Sequence, residues 1–140
     1  MQINHKEKGL VYMSFLFLIP LVISIQRQYV VLSALIGLVT IFSVLHHTFK
    51  KPGAEWWWNT VGRNSVQTFL LITEIILSVT LAIWSIILLL QKSQSWFLFI
   101  ALLIFIPSFI LYLGTNYKKY VRYHTIWHIA ITITICLALI

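Results

Sequence analysis

Apolar residues in this chain come in long runs rather than in alternation. Segments 10–25, 29–49, 66–90, 96–113 and 121–140 are each dominated by Leu, Ile, Val, Phe and Ala. A transmembrane helix needs about 20 mostly apolar residues, which at about 1.5 Å of rise each cross a hydrocarbon core of about 30 Å. All five runs meet or approach that length; the first and fourth are the short ones. Between them lie "QRQ", "KKPGAEWWWNTVGRNS", "QKSQS" and "TNYKKY", polar connectors of which the longest carries the turn signal Lys-Pro-Gly. Pro20 and Pro107 fall inside two of the runs. Kinks there are tolerable where neighbouring helices cover the freed carbonyls. The pattern predicts an all-α integral membrane protein, a single domain over 1–140 built as a five-helix transmembrane bundle.

Composition agrees. The chain is 60% hydrophobic and 9% charged, with a mean hydropathy of +0.93, which excludes an ordinary soluble domain. The formal net charge of +7 therefore reads as membrane orientation and contact with anionic lipid, with no nucleic-acid partner. The single cysteine, Cys136, rules out an intramolecular disulfide and a cysteine-rich metal site, and sits in an apolar run as a small hydrophobe. His5, Lys6 and Lys8 precede the first run as the charged start of a signal peptide would. No small-x-small cleavage site follows, so the run is expected to be a retained helix. That feature, the short loops and the compact chain fit a bacterial inner membrane.

Charge then sets direction. Lys6, Lys8, Lys50, Lys51, Arg63, Lys118, Lys119 and Arg122 fall on one side of a five-span arrangement, and Arg27 and Lys92 on the other. Short loops rich in Lys and Arg stay in the cytoplasm, so the N-terminus is expected inside and the C-terminus outside. Trp56, Trp57, Trp58, Tyr117, Tyr120 and Tyr123 gather near the same interface, as an aromatic anchoring belt does.

The polar residues inside the runs carry the candidate chemistry. His47 ends the second run, and His124 and His128 lie in the first two turns of the fifth. All three share one leaflet, within roughly 10 Å of one interface. Residues i and i+4 share a helical face, so His124 aligns with His128 and Ser43 with His47. His46 competes with His47, but helical phase points it about 100° away. Glu74 is the one acid within a run, in a chain with three acids, and enters from the same side. An intramembrane carboxylate is expensive and faces a partner or a watery cavity. His5 precedes the first run in a polar tail and is expected to be solvated. Three histidines and a carboxylate converging from three helices suit a small metal ion. A b-type haem held by His47 and His128 is an alternative. A proton or ion carrier has little support, because no buried basic partner accompanies Glu74.

"FSVLHH" (42–47), with Ser-x-x-x-His, and "YHTIWHI" (123–129), with His-x-x-x-His, together resemble the CREST superfamily of membrane proteins. That group includes alkaline ceramidases, progestin and adipoQ receptors, the Per1 family and myomaker-like proteins. The similarity covers roughly residues 27–49 and 120–136, with weaker support around 66–85, and is nearest in flavour to the myomaker-like branch. The resemblance implies a zinc ion held by three histidines, here His47, His124 and His128, with Ser43 as the family serine. The family has seven spans rather than five, and the removal of two helices ahead of the last keeps the motif ends on one side. The family aspartate has no counterpart in kind, and Glu74 is the nearest acid; Asn59 and Asn64 cannot act as a base.

Three neutral imidazoles leave one open position on tetrahedral zinc, the arrangement used for hydrolysis. Glu74 is then expected to be the general base and Ser43 the hydrogen-bond donor to the reacting oxygen. The expected function is zinc-dependent hydrolysis of a lipid amide or ester, ceramide-like, near the cytoplasmic leaflet. The alternatives are a non-catalytic, metal-stabilised scaffold or lipid-binding protein, and the haem protein. A unit this small for enclosing a lipid leaves a homodimer open.

Overall fold

The computed structural model describes residues 5–49, 65–113 and 119–140, with side chains for 8–49, 65–112 and 119–140. Every regular element among them is helical. The order is α1 (His5–Ser14), a 3-10 turn (Phe15–Phe17), α2 (Leu18–Gln26), α3 (Val30–Phe49), α4 (Ser65–Gln91), α5 (Ser95–Leu113) and α6 (Tyr120–Leu139). The turn joins α1 to α2 as one rod. Its position follows from Pro20, which has no N–H to offer the carbonyl of Leu16, so the chain tightens there instead of breaking. Pro107 is taken up inside α5.

The two short connections end their helices alike. Gln28 and Ser93 adopt left-handed backbone, with φ of 60° and 56°. In each case the next residue reaches back to close the helix: Tyr29 N–H donates to Ser24 O at 2.9 Å, and Gln94 N–H to Leu89 O at 3.3 Å. This is the Schellman arrangement, in which the left-handed position normally belongs to glycine. At that end Lys92 also donates from Nζ to Ala138 O at 2.9 Å, tying the α4–α5 corner to the last turn of α6. A cation there satisfies a terminal carbonyl and complements the helix dipole.

α1, α3, α4 and α6 form a ring. α1 packs on α3, α3 on α4, α4 on α6 and α6 back on α1, while α1 with α4 and α3 with α6 face each other across the middle. α5 stands outside this ring against α6 and α4. Buried positions follow the ring: on α4, Gln67, Leu70, Leu71, Glu74, Ser78, Leu81, Ser85 and Leu89 recur every three or four residues and make one inward stripe. The outer faces are apolar, with Ile19, Val31, Phe69, Ile76, Trp96 and Leu103 among the exposed side chains. Large apolar surfaces of this kind on every rod suit acyl chains rather than water.

Four helical stretches are long and apolar enough to cross a membrane: Lys8–Gln26, Val30–Phe49, Ser65–Gln91 and Ser95–Tyr112. The sequence predicted five. α6 has the length, at 20 residues, but its Arg122, His124, His128, Thr132 and Thr134 keep its hydropathy lower. The physical reason lies in its position. His124, His128, Thr132 and Thr134 are buried inside the bundle, where protein and not lipid is their solvent, while Arg122 is exposed near the start of the helix, so the helix needs no continuous apolar surface. The first run also begins earlier than predicted, because His5 opens α1 and is not a free tail.

Candidate metal centre

The ring brings the candidate residues to one place near the end that holds Phe49, Ser65 and Tyr120. His47 comes from the last turn of α3, Glu74 from the third turn of α4, and His124 and His128 from the first half of α6. One ligand atom from each of the four lies within 4.8 Å of the others. The backbones of α3 and α6 do not touch, so the imidazoles span the ring diagonal and meet on its axis. Oε1 of Glu74 is 3.6 Å from Nε2 of His47 and 3.8 Å from Nε2 of both His124 and His128. The side chains are buried: 0% exposed for His47, 2% for His124 and His128, and 6% for Glu74.

Donors around the carboxylate hold it in place. Ser43 Oγ donates to Glu74 Oε1 at 2.7 Å. Ser43 is itself paired with Ser14 Oγ at 2.8 Å, from α1 on the fourth side of the ring. Nδ1 of His46 donates to Glu74 Oε2. An ionised carboxylate only accepts, so in its two contacts Ser43 Oγ and His46 Nδ1 carry the hydrogen.

His46 is the residue that helical phase set aside. Its angle was measured against His47, yet Ser43 and His46 are i and i+3, which also share a face. All three are buried and reach the same carboxylate, so both histidines belong to the centre. Sequence reasoning also missed the aromatic packing. Phe17 lies 5.3 Å from the His128 ring, Tyr112 is edge-on to His124 at 5.1 Å, and Tyr120 is 5.0 Å from His124. Tyr120 was expected in an interfacial belt; it is buried instead, as a lid on His124. Nothing in the spacing of Phe17 or Tyr112 signals this. Trp56, Trp57, Trp58 and Tyr117 of the expected belt lie outside the described residues, as do Asn59 and Asn64.

The donor set suits a metal. Two rings stack at 4.8 Å, His124 on His128, and His47 stands edge-on to His124 at 4.7 Å, so the three imidazoles lie against one another. Neither ring nitrogen of His128 is hydrogen-bonded, although the ring is buried. Burying an unsatisfied polar ring costs about 1–3 kcal/mol, which coordination of a cation removes. Four ligand atoms within 4.8 Å of one another suit one small ion better than the plane of a haem.

The fold is that of a helical protein with rods long and apolar enough for a membrane, and among the described residues it carries a buried His/Glu cluster that could hold a metal ion. No protein-family model, curated protein or solved structure matches the chain.

Proposed function

We propose that this is an integral membrane zinc protein, oriented with its N-terminus in the cytoplasm, that hydrolyses an amide or ester bond of a membrane lipid. The observation that carries the reading is the convergence of three histidine Nε2 atoms on one carboxylate, with a serine hydroxyl beside it. Zinc in such a site supplies an activated water and polarises a carbonyl. The chain's own residues fit the rest. His47, His124 and His128 hold the ion, Glu74 accepts the water's proton and returns it to the leaving amine or alkoxide, and Ser43 donates to the reacting oxygen. The centre lies toward the end of the bundle where Lys8, Lys119 and Arg122 cluster, the end that the charge bias assigns to the cytoplasmic headgroups. The scissile bond of a ceramide-like lipid sits at that depth. The motif resemblance to CREST proteins points the same way.

The test is the purified, zinc-loaded protein in vesicles holding ceramides and glycerolipids, with release of free fatty acid as the readout. Release that His128→Ala abolishes supports the reading; a zinc-loaded protein that releases no fatty acid contradicts it. A second reading has its own observation. Glu74 Oε1 is so near all three nitrogens that the site is closed, as a structural site is. In that case the ion staples α3, α4 and α6, and removing it lowers thermal stability without changing any lipid.

A further inference from the structure

Tetrahedral zinc holds its ligands about 2.0–2.1 Å away, which places any two of them about 3.3–3.4 Å apart. Glu74 Oε1 stands 3.6, 3.8 and 3.8 Å from the three Nε2 atoms, a few tenths of an ångström beyond that spacing and nearly equal for all three. An oxygen equidistant from all three and separated from the ion by a water would lie on the order of 5–6 Å from each nitrogen. That spacing fits an oxygen that would itself touch the ion and not one held behind a water. The longer side chain explains the reach: glutamate has one methylene more than aspartate.

The other oxygen explains why it stays there. Oε2 accepts from Nδ1 of His46, which is 2% exposed and whose ring stacks on that of His47 at 4.9 Å. Metal-ligating groups depend on such outer partners to fix their orientation and charge. Because His46 and His47 are adjacent on α3, one helical turn supplies both a ligand and the holder of the opposing ligand.

The geometry points to Glu74 as the fourth ligand of the resting centre and to His46 as the positioning residue that keeps it there. This rests on the zinc reading above and deepens it. With zinc bound, the Glu74 carboxylate would close the centre, and only a carboxylate swung away from it would leave room for water and be available as a base. His46 sets how readily that exchange occurs.

The experiment uses the full chain in detergent, loaded with Zn2+ or Co2+. Affinity is read by competition with a chelator, and the ligand set by the visible bands of Co2+. Glu74→Gln, nearly the same shape, lowers zinc affinity about 100-fold or more and shifts the Co2+ bands. His46→Ala lowers affinity about 10–100-fold, the range for an outer partner. His46→Asn, which offers an N–H at nearly the position of Nδ1, restores most of it. Circular dichroism and gel filtration identify folded variants, and His46→Asn keeps the test open if an alanine variant fails to fold. Unchanged affinity and Co2+ bands in Glu74→Gln overturn the ligand assignment and leave the zinc site standing. No effect of His46→Ala, or no rescue by Asn, overturns the positioning role. A wild-type chain that binds neither ion overturns both this inference and the function it rests on.

Discussion

Replacing His128 by alanine separates coordination from packing. The ring is buried, stacked 4.8 Å from His124 and tilted against Phe17 at 5.3 Å. Its removal leaves a cavity that costs about 2–5 kcal/mol whether or not a metal is present. The metal's contribution is read separately. Structural zinc sites with four ligands bind with about 10–16 kcal/mol, so one ligand is worth about 3–4 kcal/mol, or about 10²–10³ in affinity. At free zinc about 100 times the wild-type Kd, binding stabilises the wild type by about 2.7 kcal/mol. After a thousandfold loss the same zinc stabilises the variant by less than about 0.1 kcal/mol. Thermal unfolding in detergent, with and without zinc, measures both numbers. The variant is expected to unfold earlier and to respond to zinc hardly at all. A variant that unfolds earlier but keeps the full zinc shift would refute the assignment of His128 as a ligand.

Further outcomes follow from the same contacts. Ser43→Ala is expected to reduce lipid release about 100-fold, as loss of a donor to the reacting oxygen does, while elemental analysis still finds zinc. Gln28→Gly and Ser93→Gly relieve left-handed backbone at the two helix ends, and each is expected to stabilise the chain by about 1 kcal/mol in thermal unfolding. Lys92→Ala removes the bond to Ala138 O and is expected to cost about 1 kcal/mol without altering zinc affinity, because the centre lies at the other end of the bundle. A cysteine placed at Lys8 in a Cys136→Ser background is expected to react with an impermeant maleimide only when the cytoplasmic face is open.

Much of the fold was legible because lipid imposes a simple rule. Runs of apolar residues about 20 long had to be helices, and four of them satisfy length and composition in the structure. α6 shows the limit of that rule. Its inward histidines and threonines lower its hydropathy, and only the ring arrangement explains why that is tolerated. The i, i+4 spacing predicted that His124 and His128 would align, and they stack. It did not settle the α3 end, because Ser43 meets both i+3 and i+4, so His46 and His47 each reach Glu74 from one turn. That α3 and α6 would face each other across a diagonal, and that Ser14 would close the fourth side, depends on packing between helices distant in sequence. No local spacing encodes it.

Elemental analysis of the purified, monodisperse chain tests the central claim most directly. One zinc per chain, lost in a His124→Ala/His128→Ala double variant that still folds, is the predicted result. A folded wild-type chain that carries no metal after growth and dialysis in zinc, or that carries iron with a Soret band, would contradict it.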